Sequence, residues 1–155
     1  MARAKYQVLV IPYIRTADGV LYCIFRRSDM EDCWQFVAGG GEEEDGRPDI
    51  SARREAAEEA GIPVDALFTR LETTSSISTE HFPKARLHWG ESCLVIPEYC
   101  FAVELPHKNI RLSDEHTRFA WVDYDTAMAL LQYDSNKVAL WELDNRLRLG
   151  LLNTL

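Results

Sequence analysis

The sequence has no hydrophobic segment long enough to cross a membrane and no excess of basic residues. The apolar run Val8–Ile11 is short, is closed by Pro12 and shows no cleavage-site pattern. We therefore expect neither a signal peptide nor a membrane-spanning helix, and we expect a cytoplasmic protein. The 25 acidic residues outnumber the 17 basic ones, giving a net charge of −8. Because nucleic-acid polymers and anionic membranes are bound through basic surface, the sequence predicts a small-molecule substrate instead.

The four cysteines form no pattern typical of a metal site or a disulfide framework. None of them has C-x-x-C spacing and the four histidines are scattered, so zinc is not expected. Cys93 and Cys100 flank an apolar run. In a cytoplasmic protein they are expected to be small hydrophobic residues rather than a disulfide.

The length and composition are those of one folded unit. A chain of 155 residues with 46% apolar content can bury a substantial core. It contains no internal repeat or low-complexity segment, so we expect one domain spanning 1–155. The sequence leaves the oligomeric state open, with a homodimer as one alternative.

The most informative segment is an acidic run behind Arg54, preceded by the glycine triplet Gly39–Gly41. Residues three and four apart share one face of an α-helix, so three carboxylates would converge there. Their repulsion is relieved most simply by a divalent cation, and oxygen ligands favour Mg²⁺, for which Mn²⁺ can substitute. Mg²⁺ commonly binds substrate phosphates as well, which points to phosphate-ester or anhydride chemistry. The three residues are Glu55, Glu58 and Glu59.

A simpler interpretation is a charged surface helix without a metal site. Arg54 and Glu58 would then form an ordinary i,i+4 pair that contributes about 0.3–0.5 kcal/mol. That interpretation does not require the glycine triplet, the acidic loop Glu42–Asp45 or Gly61, which suits a left-handed helix cap. These additional features favour the metal site.

The segment resembles the signature of the Nudix hydrolase family, G-x5-E-x7-R-E-U-x-E-E-x-G-U, where U is a bulky aliphatic residue. The helical half is present, with Ala56 at one aliphatic position. If Gly39 is the leading glycine, the loop is one residue too long and the early glutamate corresponds to Asp45, with neighbouring glutamates as substitutes. If Gly40 leads, the spacing is regular but Gly46 occupies the glutamate position.

The remaining sequence predicts a mixed sheet covered by helices, and the resemblance refines this to an α/β fold of the Nudix-type α/β/α sandwich. Apolar and β-branched composition predicts the strands. Apolar periodicity and breakers predict the helices, with Ser135 as an N-cap and Pro97 at an edge or bulge. The segment Thr79–Gly90 is expected to be a mobile loop. The expected strands are 6–14, 20–25, 67–76, 92–105 and 119–122. Three helices are expected: one from residue 49 or 50 to residue 60, one over 124–131 and one over 136–152.

The resemblance also implies roles for individual residues. Glu55, Glu58 and Glu59 would ligate Mg²⁺ together with the Gly39 carbonyl, and Arg54 would orient a glutamate. The segment around Glu115 is similar to the corresponding part of dihydroneopterin triphosphate diphosphatases, also described as dATP pyrophosphohydrolases. By that similarity Glu115 is a further metal ligand or the general base; an exposed loop charge is the alternative.

Two other groups of residues are implied to bind substrate. An arginine pair and a tryptophan–glutamine pair before the glycine loop are similar to those of the same subfamily, and an arginine there can bind phosphate bidentately. Strand neighbours alternate, so one arginine is expected to face away. Weaker phosphate-binding candidates lie in the 79–90 segment. The candidates are Arg26, Arg27, Trp34, Gln35, Lys84 and Arg86.

The implied reaction is metal-dependent cleavage of a nucleoside or pterin triphosphate to the monophosphate and pyrophosphate. Ile77–Glu80 lacks the proline or tyrosine that ADP-ribose pyrophosphatases or dinucleoside polyphosphate hydrolases tend to carry after the signature. The alternatives are hydrolysis of another diphosphate, such as a dinucleoside polyphosphate or a sugar nucleotide, and a ligand-sensing domain without catalysis.

Overall fold

The strands form one mixed sheet. The computed structural model describes residues 2–152, so residues 1 and 153–155 of the expected domain lie outside the described residues. Within 2–152 the sheet has seven strands, and none of the helices is long and apolar enough to cross a membrane. The strands are β1 Arg3–Thr16, β2 Gly19–Arg27, β3 Trp34–Gln35, β4 Val37–Glu42, β5 Leu67–Ser78, β6 Val95–Glu104 and β7 His116–Val122.

The long strand β1 organises the sheet. It runs parallel to β6 on one side. On its other side it pairs antiparallel with β4 and then with β2, which in turn pairs with β3 and β7. The strand β5 pairs with β6 and ends the path β3-β2-β1-β6-β5. This confirms the predicted mixed sheet, in which β1 and β2 form a hairpin.

Helices cover both faces of the sheet. They are α1 Pro48–Ala60, α2 Pro83–Trp89, α3 Tyr124–Leu130 and α4 Asp134–Leu149. Alternate residues of β1 enter two separate cores, because successive side chains of a strand point to opposite faces. Val8 and Val10 pack with α1 residues, whereas Leu9 and Ile11 pack with residues of α3 and α4. The predicted α/β/α arrangement is therefore confirmed.

Local sequence determines both ends of α1. Pro48 occupies the first turn, where a missing N–H costs little. Gly61 has φ 70°, and its N–H donates to the Ala57 carbonyl at 3.0 Å while Ile62 N–H donates to Ala56 at 3.2 Å. The left-handed cap is as predicted.

The expectation of a mobile loop over Thr79–Gly90 is wrong. A short 3-10 turn covers Thr79–His81, and α2 begins at Pro83. Trp89 is buried and its indole N–H donates to the Arg3 carbonyl at 2.8 Å, which ties α2 to the first residues of β1. Aromatic burial therefore orders a segment whose polar composition suggested a loop.

The C-terminal helix also departs from its expected boundaries. It begins at Asp134 and ends at Leu149, and its N-cap is Tyr133, so Ser135 lies inside the helix rather than at its cap. Of the apolar residues of this helix, Val138 and Trp141 are exposed, whereas Leu140 and Leu143 are buried. Pro97 lies in the first residues of β6, which pair with β5 but precede the first residue paired with β1, so the strand has one neighbour there.

Glu142 of α4 holds an irregularity in β5. The register of β5 with β6 shifts between Arg70 and Thr74. At this point the Glu142 carboxylate accepts the backbone N–H groups of Glu72 at 2.7 Å and Thr73 at 2.8 Å. Burial acts to raise the pKa of Glu142, but the hydrogen bonds from Thr73 and Glu72 outweigh it and keep the pKa below its usual value.

Glu142→Gln is expected to lower the free energy of unfolding by about 1–3 kcal/mol, because the amide cannot accept both N–H groups as well as a carboxylate does. The lowered folded-state pKa means that this stabilisation is present above the unfolded-state pKa of about 4.3 and is lost as pH falls through the folded value. Denaturant unfolding at pH 7 and at acid pH measures both effects. Glu91→Gln, at an exposed position, serves as the control, and equal stability of the two variants at pH 7 would contradict the role of Glu142.

Candidate metal centre and active site

The glycine triplet lets three side chains lie directly on the backbone of β4. A Cβ at Gly39 would stand 2.1 Å from the carboxyl carbon of Glu55. A Cβ at Gly40 would stand 2.5 Å from Nε of Arg3, and one at Gly41 2.3 Å from the Tyr6 ring. Such distances exclude any larger residue without movement of these neighbours. The glycines thus create the close approach that brings the Glu55 carboxylate against the strand.

The guanidinium of Arg54 is the centre of the acidic cluster. Its Nη2 nitrogen donates to Asp45 Oδ2 at 2.9 Å and to the Gly40 carbonyl at 3.0 Å. Its Nη1 nitrogen donates to Glu55 Oε1 at 3.0 Å and to Glu58 Oε2 at 3.4 Å. The hydrogen bond with Asp45 is the largest cause of a raised pKa at Arg54. The Arg54 side chain therefore joins the acidic loop, the glycine strand and two carboxylates of α1.

Asp45, one of the two candidates for the early glutamate of the signature, is held by several hydrogen bonds. Besides Arg54, its carboxylate accepts the Ser51 hydroxyl at 2.6 Å and the Glu42 backbone N–H at 3.1 Å. Gly46, the other candidate position, has φ 80° and ends the 3-10 turn Glu43–Asp45. The structure thus favours the alignment with Gly39 as the leading glycine and one extra residue in the loop.

Glu55 is a buried carboxylate with too little positive charge around it. It is 8% exposed. Burial raises its pKa to about 7, although the hydrogen bond from Arg54 opposes the shift. A divalent cation would stabilise the charged form of this group. Burial therefore makes Glu55 a suitable ligand rather than an ordinary surface glutamate.

Glu59 and Glu115 form a second acidic pair at the other end of the same helix face. The segment before β7 is fixed to α1 by Ser113, whose hydroxyl donates to Glu59 Oε2 at 2.8 Å and accepts the Glu115 backbone N–H at 3.3 Å. Burial acts to raise the pKa of Glu59, but the nearby His116 imidazole and the hydrogen bond from Ser113 outweigh it and lower the pKa. Burial and then the charge of Glu59 raise the pKa of Glu115. Of the two, Glu59 is thus the stronger acid.

The four candidates before the glycine loop lie on both faces of the sheet. Trp34 pairs with Arg26 and packs at the edge of the core that includes α3 and α4. Gln35 pairs with Phe25, so it points to the α1 face, where its amide nitrogen lies 3.2 Å from Nε2 of His116. Arg27 donates to Asp29 at 2.8 Å and to the Tyr133 hydroxyl at 3.1 Å.

The remaining basic candidates belong to α2. Lys84 is exposed, whereas Arg86 is half-buried and donates to the Glu91 carbonyl at 3.3 Å. The same segment places Phe82 4.6 Å from the Arg3 guanidinium. Arg3, which the sequence did not single out, therefore lies between α2 and Gly40. The structure does not bring these groups into direct contact with the carboxylates of α1.

The chemistry of the α1 face fits a hard divalent cation. The groups available there are carboxylate oxygens, which Mg²⁺ and Mn²⁺ prefer. In the part of the chain that the structure describes, no three acidic, histidine or cysteine side chains are arranged as a ready-made metal site. Arg54 accounts for this, because it holds Glu55 and Glu58, while Glu59 is held by Ser113. The carboxylates that could bind a metal are therefore present, and each accepts a hydrogen bond from another side chain of the protein.

Sequence reasoning missed the residues that surround Glu59. Ser113 and His116 lie next to Glu115 in the sequence, but nothing in their spacing from α1 indicated contact with that helix. For Asp45, the sequence left open whether it or Gly46 corresponds to the early glutamate of the signature. A pairing of β7 with β2, which places His116 opposite Arg27, would have been the only signal.

Comparison with known proteins gives the family. A model of the NUDIX domain matches residues 5–141. The chain therefore belongs to the Nudix family, as the resemblance predicted, and its hydrolase neighbours support assignment as a Nudix pyrophosphohydrolase. Nudix hydrolases generally use divalent metals. A comparison with curated proteins returned no significant match.

Three solved structures illustrate the similarity. A provisionally assigned Nudix hydrolase from Listeria monocytogenes strain 4b F2365 is 38% identical, with a TM-score of 0.88 over 98% of this chain and 100% of that one. The E. coli dihydroneopterin triphosphate pyrophosphohydrolase is 26% identical, with a TM-score of 0.74 over 94% and 99%. A C. elegans Ap4A hydrolase, 16% identical with a TM-score of 0.67 over 94% and 98%, shows the shared fold alone.

Gly39→Ala is expected to weaken Mn²⁺ binding at least about tenfold, because the new methyl group would displace the Glu55 carboxylate. Titration with Mn²⁺ in the absence of substrate measures the change, and circular dichroism checks the fold. The double variant Gly39→Ala/Glu55→Asp shortens the displaced side chain and should recover part of the affinity. Unchanged Mn²⁺ affinity in Gly39→Ala would show that the close approach of Glu55 has no part in metal binding.

Proposed function

We propose that this Nudix hydrolase cleaves a nucleoside triphosphate or a related compound, such as dihydroneopterin triphosphate, to the monophosphate and pyrophosphate with Mg²⁺ or Mn²⁺. The observation that carries the metal-dependent chemistry is the row of carboxylates along α1 beside Gly39, continued by Glu115. The triphosphate class is supported by the 26% identical E. coli dihydroneopterin triphosphate pyrophosphohydrolase, which aligns over nearly its whole length.

Four groups would hold the metal: the carboxylates of Glu55, Glu58 and Glu59 and the carbonyl of Gly39. When bound, the cation neutralises phosphate charge and makes a bound water more acidic. Arg54 keeps Glu55 and Glu58 oriented, with Asp45 holding Arg54 from the opposite side.

Glu115 is the candidate general base. It is exposed, unlike Glu55 and Glu59, so water can reach it. Partial burial of its carboxylate and then the neighbouring charge of Glu59 raise its pKa above that of an ordinary glutamate. A raised pKa makes a carboxylate a stronger acceptor for the proton of an attacking water.

Basic side chains would bind the phosphates that the metal does not reach. Arg26 lies 3.8 Å from Asp32, whose side chain is 91% exposed, so this weak pair can yield to phosphate oxygens. Arg27 is bonded more tightly, to Asp29 and Tyr133. Arg26 is therefore the less tightly held of the pair, although its pairing with Trp34 places it on the α3 and α4 face of the sheet. Lys84 and Arg86 are candidates at the other end of the site.

A panel of nucleoside, pterin and dinucleoside phosphates tests the reaction directly. We expect turnover with Mg²⁺ or Mn²⁺, none in excess EDTA, and a monophosphate with pyrophosphate as products of the best substrate. Direct release of orthophosphate without added pyrophosphatase, or faster turnover of dinucleoside polyphosphates or sugar nucleotides, would contradict the triphosphate proposal. Substrate binding without any turnover would indicate a ligand-sensing domain.

Substitution of single carboxylates separates metal ligand from base. Glu58→Gln should lower kcat by orders of magnitude, because loss of an essential ligand costs several kcal/mol at tenfold per about 1.4 kcal/mol. Breaking only an exposed Arg54–Glu58 pair would cost about 0.5 kcal/mol of stability and no chemistry. Glu115→Gln should lower kcat while Mn²⁺ affinity changes little. Near-normal turnover of Glu58→Gln would restore the surface-helix interpretation.

A further inference from the structure

His116 is buried between Gln35 of β3 and Glu59 of α1. Its side chain is 1% exposed. One ring nitrogen, Nε2, lies 3.2 Å from the amide nitrogen of Gln35, and the other, Nδ1, lies 3.5 Å from Oε2 of Glu59. The ring packs against Phe25 at a centroid distance of 5.4 Å. The imidazole thus bridges two segments that are far apart in sequence.

The neighbours of the ring determine which nitrogen carries its proton. An amide NH₂ group only donates, so Nε2 must accept the hydrogen bond from Gln35. In neutral imidazole the proton then lies on Nδ1, which faces Glu59. Nδ1 has no hydrogen-bond partner within residues 2–152 that meets ordinary geometry, so the Glu59 carboxylate is the acceptor it faces.

Glu59 is held from a second direction by Ser113. The Ser113 hydroxyl donates to the same Glu59 oxygen at 2.8 Å, and the Ser113 N–H donates to the Glu59 carbonyl at 3.3 Å. Because Ser113 holds only one carboxylate oxygen, its hydroxyl alone would not fix the rotation of the Glu59 carboxylate. The imidazole on the other side, with Nδ1 3.5 Å from the same oxygen, restricts this rotation.

We propose that Gln35 and His116 are positioning residues that fix the orientation of the Glu59 carboxylate for the metal ion. This inference rests on the proposed function, because it assigns Glu59 to the metal. It also changes the role expected for Gln35, whose amide is occupied by His116 and acts through it rather than on substrate. In metalloproteins, removing an outer hydrogen bond that orients a metal ligand typically weakens metal binding about 10–100-fold.

The experiment is an Mn²⁺ titration followed by electron paramagnetic resonance, without substrate. His116→Leu should weaken Mn²⁺ binding about 10–100-fold. His116→Asn places an amide donor near the position of Nδ1 and should recover most of the affinity, whereas His116→Gln places it near Nε2 and should recover less. Gln35→Met, which keeps the length but not the hydrogen bond, should also weaken Mn²⁺ binding.

His88→Asn is the matched control, because His88 also faces a carboxylate, Glu43 at 3.3 Å, but is exposed. Its Mn²⁺ affinity should equal that of the wild type. The unfolding midpoint of each metal-free variant shows whether the fold survives. With the best triphosphate, Gln35→Met should leave KM unchanged at saturating Mn²⁺.

The outcomes separate this inference from the function beneath it. A wild-type protein that binds no Mn²⁺ would contradict the proposed function and, with it, the positioning role. Tight binding by the wild type and equally tight binding by His116→Leu would overturn the positioning role alone. A raised KM in Gln35→Met with unchanged Mn²⁺ affinity would return Gln35 to substrate binding and equally overturn it.

Discussion

The site depends on the hydrogen bonds of a single guanidinium. Arg54 contacts Asp45, Glu55 and Glu58 and lies 3.6 Å from Glu42, so four carboxylates surround one positive charge. Without it, the acidic loop and the acidic face of α1 would repel each other. The Gly40 carbonyl adds a neutral acceptor that ties the cluster to the sheet. The loop, strand and helix that form the site are therefore joined electrostatically as well as by the apolar core beneath α1.

The extra residue in the loop is accommodated because the contact with Arg54 matters more than the spacing. Asp45 is shorter than the glutamate of the family signature, and the 3-10 turn Glu43–Asp45 brings its carboxylate to Arg54. Ser51 then supplies a hydroxyl donor from the first turn of α1. A short acid in a tightened turn thus completes the ion pair with Arg54.

Local patterns predicted α1 and its carboxylates because helix periodicity, Pro48 and Gly61 all act within a few residues. The mixed sheet followed from strand composition in the same way. The role of His116 could not be predicted, since its contacts with Gln35 and Glu59 cross 81 and 57 positions of the chain respectively. The ordered structure of the segment 79–90 was missed for a similar reason, because Trp89 is buried and donates to the carbonyl of Arg3, 86 positions away in the sequence.

The charge balance of the site explains why a metal and a phosphate substrate belong together here. The face of α1 carries Glu55, Glu58 and Glu59, and the basic groups nearest to it are already paired, as Arg54 is with carboxylates and Arg27 with Asp29. An anionic substrate alone would be repelled from such a surface, and a divalent cation alone would leave Arg54 competing for the same oxygens. A cation that bridges the carboxylates and the phosphates satisfies both sets of charges. The protein thus presents excess negative charge where a metal-bound phosphate, rather than a free one, is the complementary partner.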